Sequence, residues 1–444
     1  MSTERCVIVS YRAFCRFPGG KERMSYKVAG IDIHKKVLMV VVATAADEIA
    51  DAAGEALEFE SRRFGAGASE RKHIVNWLQE RNVSEVVMES TAQYWKPVWL
   101  DLEPHFGKLH LAQAHSNRAP KGRKNDFGDA KRLTRRLLAD ELILSFVPGG
   151  EQRTWRTITR GKNQLVRDRV RLQNQLEALL EEARIKLSSV ISDLLGVSGR
   201  RILEAMSEGE IDPERLAQLG DDRLKCTQQE LADALNGALE PIHRQILKLY
   251  LERLHLLDEQ IGKLDQMIAT ALKRHQDAVI RVAEVPGFGV DSAQQLIAEM
   301  GMDAEAFASA GQFTSWAGLC PGTEESAEQN HSSRSAKGNR FVRRVLTQAA
   351  QAAVKKKGSH FQSLFRKFLP RLHYAGAIWA IAHRLGRLVW KILHDGLRYI
   401  EQGSETTIKA KKRRAQKLIQ SLRKLGYSVA LTPIAPVAPD LERA

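Results

Sequence analysis

Cysteine is scarce: Cys6, Cys15, Cys226 and Cys320 are scattered over 444 residues, with no CxxC pair and no His/Cys spacing. This excludes a thiolate zinc site and a disulfide framework, and fits a reducing compartment. No apolar run approaches the roughly 18 residues of a membrane span, so no membrane partner is expected. A signal peptide's apolar stretch is also missing, because Tyr11 and Arg12 interrupt MSTERCVIVSYRAFCRFPGGKERM. Residues 1–25 therefore read as an N-terminal extension, with Met24 an alternative start. Acids are in the minority, 53 Asp and Glu against 68 Lys and Arg, which leaves a formal charge of +15. A surplus of that size points to a polyanionic partner, most commonly nucleic acid.

What is present divides the chain. Apolar residues make up 43% of the sequence, enough for substantial cores in two or three domains. YKVAGIDIHKKVLMVVVA (26–43) reads as two strands, and EVVMES (85–90) and KLHLAQ (108–113) as two more. The helical patterns SERKHIVNWLQERN (69–82) and QYWKPVWLDLEPHF (93–106) lie between them, which makes 26–148 an α/β domain. Residues 149–277 turn helical. Leu165, Leu172 and Leu179 recur every seventh position, and 247–271 fills two seams, Leu247/Leu254/Ile261/Ile268 and Tyr250/Leu257/Leu264/Ala271. This predicts a coiled coil, within one chain or between chains, or an antiparallel hairpin that buries its own seam. A mainly helical block follows over 278–402, then a tail over 403–444 that opens with the basic run KAKKRR.

Four acids need explaining. Asp32 lies inside the apolar strand VAGIDIH, Glu89 ends EVVMES, and Asp126 and Asp129 open DFGDAKRLTRRLL. A strand carboxylate is costly without compensation, and carboxylates three apart on a helix share one face and repel. Each has an ordinary reading alone: a turn cap for Asp32, a neighbour of a helix N-cap for Glu89, an N-cap and an N3 acid for the aspartates. Taken together on so cationic a chain, they predict a site for hard divalent cations, Mg²⁺ in particular. Paired ions of that kind suit in-line phosphoryl displacement.

GIDIHKK (30–36), VVMEST (86–91), GRKNDFGDAKRL (122–133), SFVP (145–148), VPGFG (285–289), SWAGLCPGTEESA (315–327), KGNRFVRRVLTQAA (337–350) and AIAHRL (380–385) carry a resemblance over roughly 28–402. The chain resembles the RNase H-like (RuvC-type) DEDD transposases of insertion sequences that carry an additional serine, described as bridge-RNA-guided recombinases. The resemblance implies an RNase H-like domain, a helical coiled-coil region and a mainly helical C-terminal transposase domain. It also implies a structured noncoding guide RNA that chooses donor and target double-stranded DNA, and a bacterial cytoplasmic, nucleoid-associated setting. Its serine, proposed to attack the scissile phosphate, best matches Ser326, with Ser332 and Ser333 as runners-up. The family's glycine and basic residues after that serine are replaced here by Ala327-Glu328-Gln329.

Further positions are expected to touch nucleic acid. VPGFGVDSAQQL fits a helix–hairpin–helix in which Gly287 makes the turn and Gly289 opens backbone amides to a phosphate; an ordinary αα-turn is the alternative. Arg118, Lys121, Arg123 and Lys124 precede the paired aspartates. Arg156, Arg160 and Arg167 line one helical face suited to a duplex backbone, and Lys337, Arg340 and Arg343 follow the serine loop, with a solvated face as the alternative reading. Residues 126 and 326 are far apart in sequence, so carboxylates and serine can meet only through a fold-back of the chain or a second subunit; a homo-oligomer, dimer or tetramer, is the expectation. The expected activity is a transposase or site-specific DNA recombinase. Two alternatives stay open: a RuvC-like endonuclease that acts on branched DNA without a protein nucleophile, and a non-enzymatic nucleic-acid-binding assembly protein.

Overall fold

The computed structural model describes residues 26–45, 57–89, 92–114, 126–322, 324–326, 329–332, 335, 337–401, 403 and 408–429. The chain divides into two compact units, Met1–Val147 and Pro148–Ala444.

The first unit is built on a five-stranded sheet of order β3-β2-β1-β4-β5. The strands are β1 (Tyr26–Ile33), β2 (Val37–Ala45), β3 (Leu57–Gly65), β4 (Glu85–Glu89) and β5 (Leu109–Ala112). The first three run antiparallel, and β1–β4 and β4–β5 pair in parallel, an arrangement consistent with an RNase H-like domain. β1 is buried on both faces from Val28 to Ile33, as a central strand covered on both sides must be. One face packs Ile31, Ile33, Val40 and Met88 against α1 (Ala68–Glu80) and α2 (Trp95–Leu102) through Ile74, Trp77, Leu78 and Trp99. The other packs Val28, Ala43, Val87 and Ala112 under Leu133 and Leu137 of α3 (Asp126–Leu138). β3, which the sequence pattern did not reveal, forms the edge, and most of its side chains are exposed. Charged side chains on an edge strand discourage pairing with other chains.

The second unit is dominated by two long helices, α4 (Gly150–Glu182) and α9 (Pro241–Ala271). They run antiparallel, tied by Arg169–Asp258 at 2.7 Å and by Lys162 to Asp265. Leu172, Leu176 and Leu179 share a core with Leu247, Leu251, Leu254 and Leu257, so the heptad seam is buried within this chain. Four short helices complete that core: α5 (Leu187–Val190), α6 (Val197–Glu208), α7 (Pro213–Ala217) and α8 (Gln228–Leu235). At the other end of the pair, Trp155, Ile158, Ile268 and Leu272 enter a larger core. Its remaining walls are α10 (Gln276–Ala283), α11 (Val290–Met300), α12 (Ala310–Trp316), α13 (Arg340–Ala353) and α14 (His360–His394). α14 is broken at His373, whose φ is 55°. Between α12 and α13 lies a small antiparallel hairpin, β6 (Glu324–Ser326) and β7 (Gln329–Ser332), and a last helix, α15, spans Ile408–Lys424. Among the described residues no helix is long and apolar enough to cross a membrane.

Candidate active site

In the first unit the carboxylates are placed by strand register. The last β1–β4 pair is Ile31 with Met88, so one further step sets Asp32 beside Glu89 at the carboxyl ends of adjacent parallel strands. Alternation puts both on the face of Val28 and Val87, which is covered by α3. Gly30, on the same face, lets that helix descend: a Cβ there would lie 2.5 Å from the Ala130 carbonyl oxygen and 2.8 Å from Thr134. Asp129 adjoins Ala130, and Asp126 stands one turn earlier. With Leu133 and Leu137 over Val28 and Val87, the first turn of α3 continues toward the strand ends that carry Asp32 and Glu89.

Asp32 is only 9% exposed, with His34 Nε2 at 3.2 Å from its Oδ2. Asp129 accepts from Arg132 at 3.1 Å. Glu85, on the same face of β4 but at its opposite end, is engaged internally by Lys108 at 2.7 Å and His110 at 3.1 Å. Its burial works to raise the pKa, and the bonds from Lys108, Tyr26 and His110 outweigh it, leaving the carboxyl below the usual glutamate range. Among the described residues, Asp32, Glu89 and Asp129 included, no three Asp, Glu, His or Cys side chains are grouped closely enough to hold a metal ion, and the Asp126 side chain lies outside them. In type, the donor set of carboxylate oxygens fits a hard divalent cation.

In the second unit the serine segment is a hairpin rather than a plain loop. Ser326 pairs with Gln329, so it is the last β6 residue before the connection, and Ser332 pairs with Glu324. The side chains of both serines, and Ser333, lie outside the described residues, as do Ala327 and Glu328. The neck beneath the hairpin is closely built. A Cβ on Gly338 would stand 2.3 Å from the Gly318 nitrogen, and Asn339 N–H donates to the Trp316 carbonyl at 3.0 Å. Ser335 Oγ accepts from Trp379 Nε1 at 3.1 Å.

The expected nucleic-acid contacts separate into groups. Arg118, Lys121, Arg123 and Lys124 lie outside the described residues. Arg167, Lys337 and Arg340 are exposed. Arg343 is half-buried over Trp379 and donates to the Ala317 carbonyl at 3.4 Å. Arg156 and Arg160 point inward. Arg156 donates to the Ala298 carbonyl at 3.1 Å and the Glu299 carbonyl at 2.5 Å, and burial brings its pKa down to about 10, against the opposing pull of Glu299. Arg160 grips the Glu299 carboxylate with two bonds of 2.7 and 2.8 Å.

Gly287 does turn the chain, at φ 95°, but its bare Cα faces α13: a Cβ would meet the Ala349 carbonyl oxygen at 2.1 Å. Gly289 is open on that side, and its N–H donates to Ser292 Oγ at 2.8 Å. The buried Glu299 is a residue that sequence pattern alone does not single out; its one signal is a lone acid in the apolar run LIAEM.

Comparison with known proteins agrees with these two halves. Residues 29–185 match the IS110-type DEDD family described as "Transposase", and 280–366 match "Transposase IS116/IS110/IS902 family". An insertion element IS900 protein of 42 kDa from Mycobacterium paratuberculosis is 31% identical over 140 residues, covering 31% of this chain and 35% of that protein. The transposase for insertion sequence element IS1111A of Coxiella burnetii is 25% identical, covering 73% of this chain and 81% of its own. The transposase for IS1328 of Yersinia enterocolitica is 22% identical, covering 62% and 73%. Two family matches that together take in more than half of the chain, one over the sheet with its acids and one around the serine hairpin, place it in the IS110/IS116 family of DEDD transposases, enzymes that cut and rejoin DNA.

Proposed function

We propose that the protein is a recombinase that cuts and rejoins double-stranded DNA using Asp32, Glu89, Asp126 and Asp129 as a Mg²⁺ site and Ser326 as nucleophile. The observation that carries this reading is the register that makes Asp32 and Glu89 neighbours beneath the start of α3. Metal bound there would neutralise charge developing on the phosphate. Ser326 Oγ bonds to the scissile phosphorus while the bond to the leaving strand oxygen breaks, the serine proton ending on that oxygen as a strand hydroxyl. Attack by the hydroxyl of the incoming strand then releases the serine and reforms the phosphodiester. Lys337, Arg340 and Arg343, close after the hairpin in sequence, would hold flanking phosphates.

Carboxylates and serine reside in separate units, and we assign them to different protomers of a homo-oligomer. Ile242, Leu249 and Leu256 support a helix-borne contact between copies: they stand seven residues apart on α9 and stay exposed while its other face is buried. No base-reading module is recognisable in the sequence, which favours target choice by a structured noncoding RNA through base pairing.

The test uses a plasmid carrying the joined ends of the encoding element, with RNA transcribed from its flanking noncoding segment. Asp32→Asn abolishes cleavage, and Ser326→Ala abolishes both cleavage and a protease-sensitive protein–DNA adduct. Cleavage that survives Ser326→Ala would instead identify a RuvC-like endonuclease using water. Mixing the two inactive proteins restores activity if the site is shared between protomers; failure at every ratio places it within one chain.

A further inference from the structure

An ionised carboxylate inside a protein is tolerated only when charge and hydrogen bonds compensate it. Glu299, in the last turn of α11, is 2% exposed. Its compensation comes from α4 and from Asn339. Arg160 of α4 meets both oxygens, Arg156 of the same helix stands 3.7 Å from Oε2, and Asn339 Nδ2 donates to Oε2 at 2.8 Å. Asn339 has a second task, because its Oδ1 accepts from the Phe341 and Val342 amides and caps α13. Its own N–H reaches across to Trp316, at the foot of the opposite side of the hairpin loop, and Gly338 makes that approach possible. The Arg160 guanidinium also lies 4.7 Å from the Phe341 ring centroid. Both ends of the segment 319–337 are thus pinned at one point, and the pin is fastened to α4 through one buried acid.

The apolar core alone would hold these elements together: Ala317, Leu319, Val342, Val345 and Leu346 all lie in it. A buried ion pair adds little to stability beyond what apolar residues of similar volume would give. Directional bonds from two elements to one carboxylate do fix orientation, which a hydrophobic contact does not.

We propose that Glu299, Arg160 and Asn339 form a clamp that sets the orientation of the hairpin loop for strand cleavage, with Glu299 and Asn339 as positioning residues. The inference rests on the proposed function in one respect, that the 319–337 loop is where strand chemistry takes place.

Asn339→Ser tests it in the full-length protein, since serine retains an N-cap oxygen but has no amide to give Glu299. The expected result is single-turnover cleavage of the same plasmid, at saturating DNA, slowed about ten- to a hundredfold, the scale of a small misplacement of a reacting group. DNA affinity stays within about twofold. Amide hydrogen exchange rises across 319–337 while the melting temperature moves by no more than about 2 °C. Asn339→Asp, a strong cap that repels Glu299, is slower still. Adding Glu299→Gln to it restores part of the rate, because an amide then faces a carboxylate again.

Wild-type cleavage and exchange in Asn339→Ser, or a rate that falls only in step with melting, would overturn the clamp. Ser326→Ala run in parallel separates the two ideas. If that variant still cleaves, the nucleophile assignment fails, while hydrogen exchange over 319–337 continues to judge the clamp.

Discussion

Gly30 lies directly beneath Ala130, so close that a methyl group on the strand residue would stand 2.5 Å from the helix residue's carbonyl oxygen. One missing side chain lets α3 settle on β1, and α3 carries two of the four acids. Gly30→Ala is expected to cost about 1–3 kcal/mol, the usual range for overpacking a close-packed core. Cleavage should fall further than melting alone predicts, because the displaced helix moves Asp126 and Asp129. Gly107→Ala, where nothing lies within 4 Å, is the control and should change neither.

The two glycines of the turn between α10 and α11 should behave differently. Gly287 combines a φ of 95° with a Cβ position 2.1 Å from the Ala349 carbonyl oxygen, so Gly287→Ala meets both backbone strain and a collision with α13. About 2–4 kcal/mol of destabilisation is expected, from strain of about 1–3 kcal/mol plus overpacking. Gly289 has an ordinary φ of −120° and open space, so Gly289→Ala meets neither strain nor collision and should cost about 1 kcal/mol at most, the loss of a glycine N-cap. If its amide approaches a phosphate, that variant binds DNA more weakly than this small loss accounts for. Denaturant melts beside binding titrations separate the two effects.

Much of this architecture could be read from the sequence wherever local pattern decides the outcome. Helix α3 has the bounds its amphipathic pattern implies, opened by Asp126-x-x-Asp129, and the strand ending in Glu89 is a run of apolar, β-branched residues. β3 escapes such a reading because an edge strand buries one face only: its alternation, Leu57-x-Phe59, dissolves into Ser61-Arg62-Arg63 before Phe64. The β6–β7 hairpin carries no β-branched or aromatic residue, so it reads as loop. Gly287 was legible as a turn, but its neighbour Ala349 was not. Arg156 and Arg160 fall on a periodic basic face, and nothing local reveals that Glu299, 139 residues beyond Arg160, is waiting for them. Partners of that kind exist only once the chain has folded.

The arginines of α4 give a direct contrast. Arg160→Ala takes both of its charge-assisted bonds from the buried Glu299 and leaves Arg156, 3.7 Å from Oε2, as the remaining cation, a loss of about 1.5–3 kcal/mol. Arg156→Ala removes the donor to the Glu299 carbonyl, while Gln152 still serves the Ala298 carbonyl, and should cost about 1–3 kcal/mol. Arg167→Ala, on the exposed side, should leave melting unchanged. Its effect should appear in the salt dependence of DNA binding, where the slope of log K against log salt falls by about one for each phosphate that the variant no longer neutralises. An unchanged slope would remove Arg167 from the interface.

Asp258 joins three helices, accepting from Arg169 of α4 at 2.7 Å and Arg200 of α6 at 2.5 Å while sitting on α9. Burial works to raise its pKa, and the two guanidinium bonds outweigh burial, so the carboxyl lies below its ordinary range. A depressed acid contributes stability that is fully present above its unfolded pKa of about 3.9 and disappears as pH falls through the folded value. Asp258→Asn should therefore cost about 1–3 kcal/mol at pH 7, the range for hydrogen bonds to charged groups. The gap from the parent should narrow as pH falls below the unfolded pKa of about 3.9 and close once the folded carboxyl is protonated as well. Urea melts across that range decide the matter: a gap that stays constant with pH would mean that shape, not charge, makes Asp258 matter.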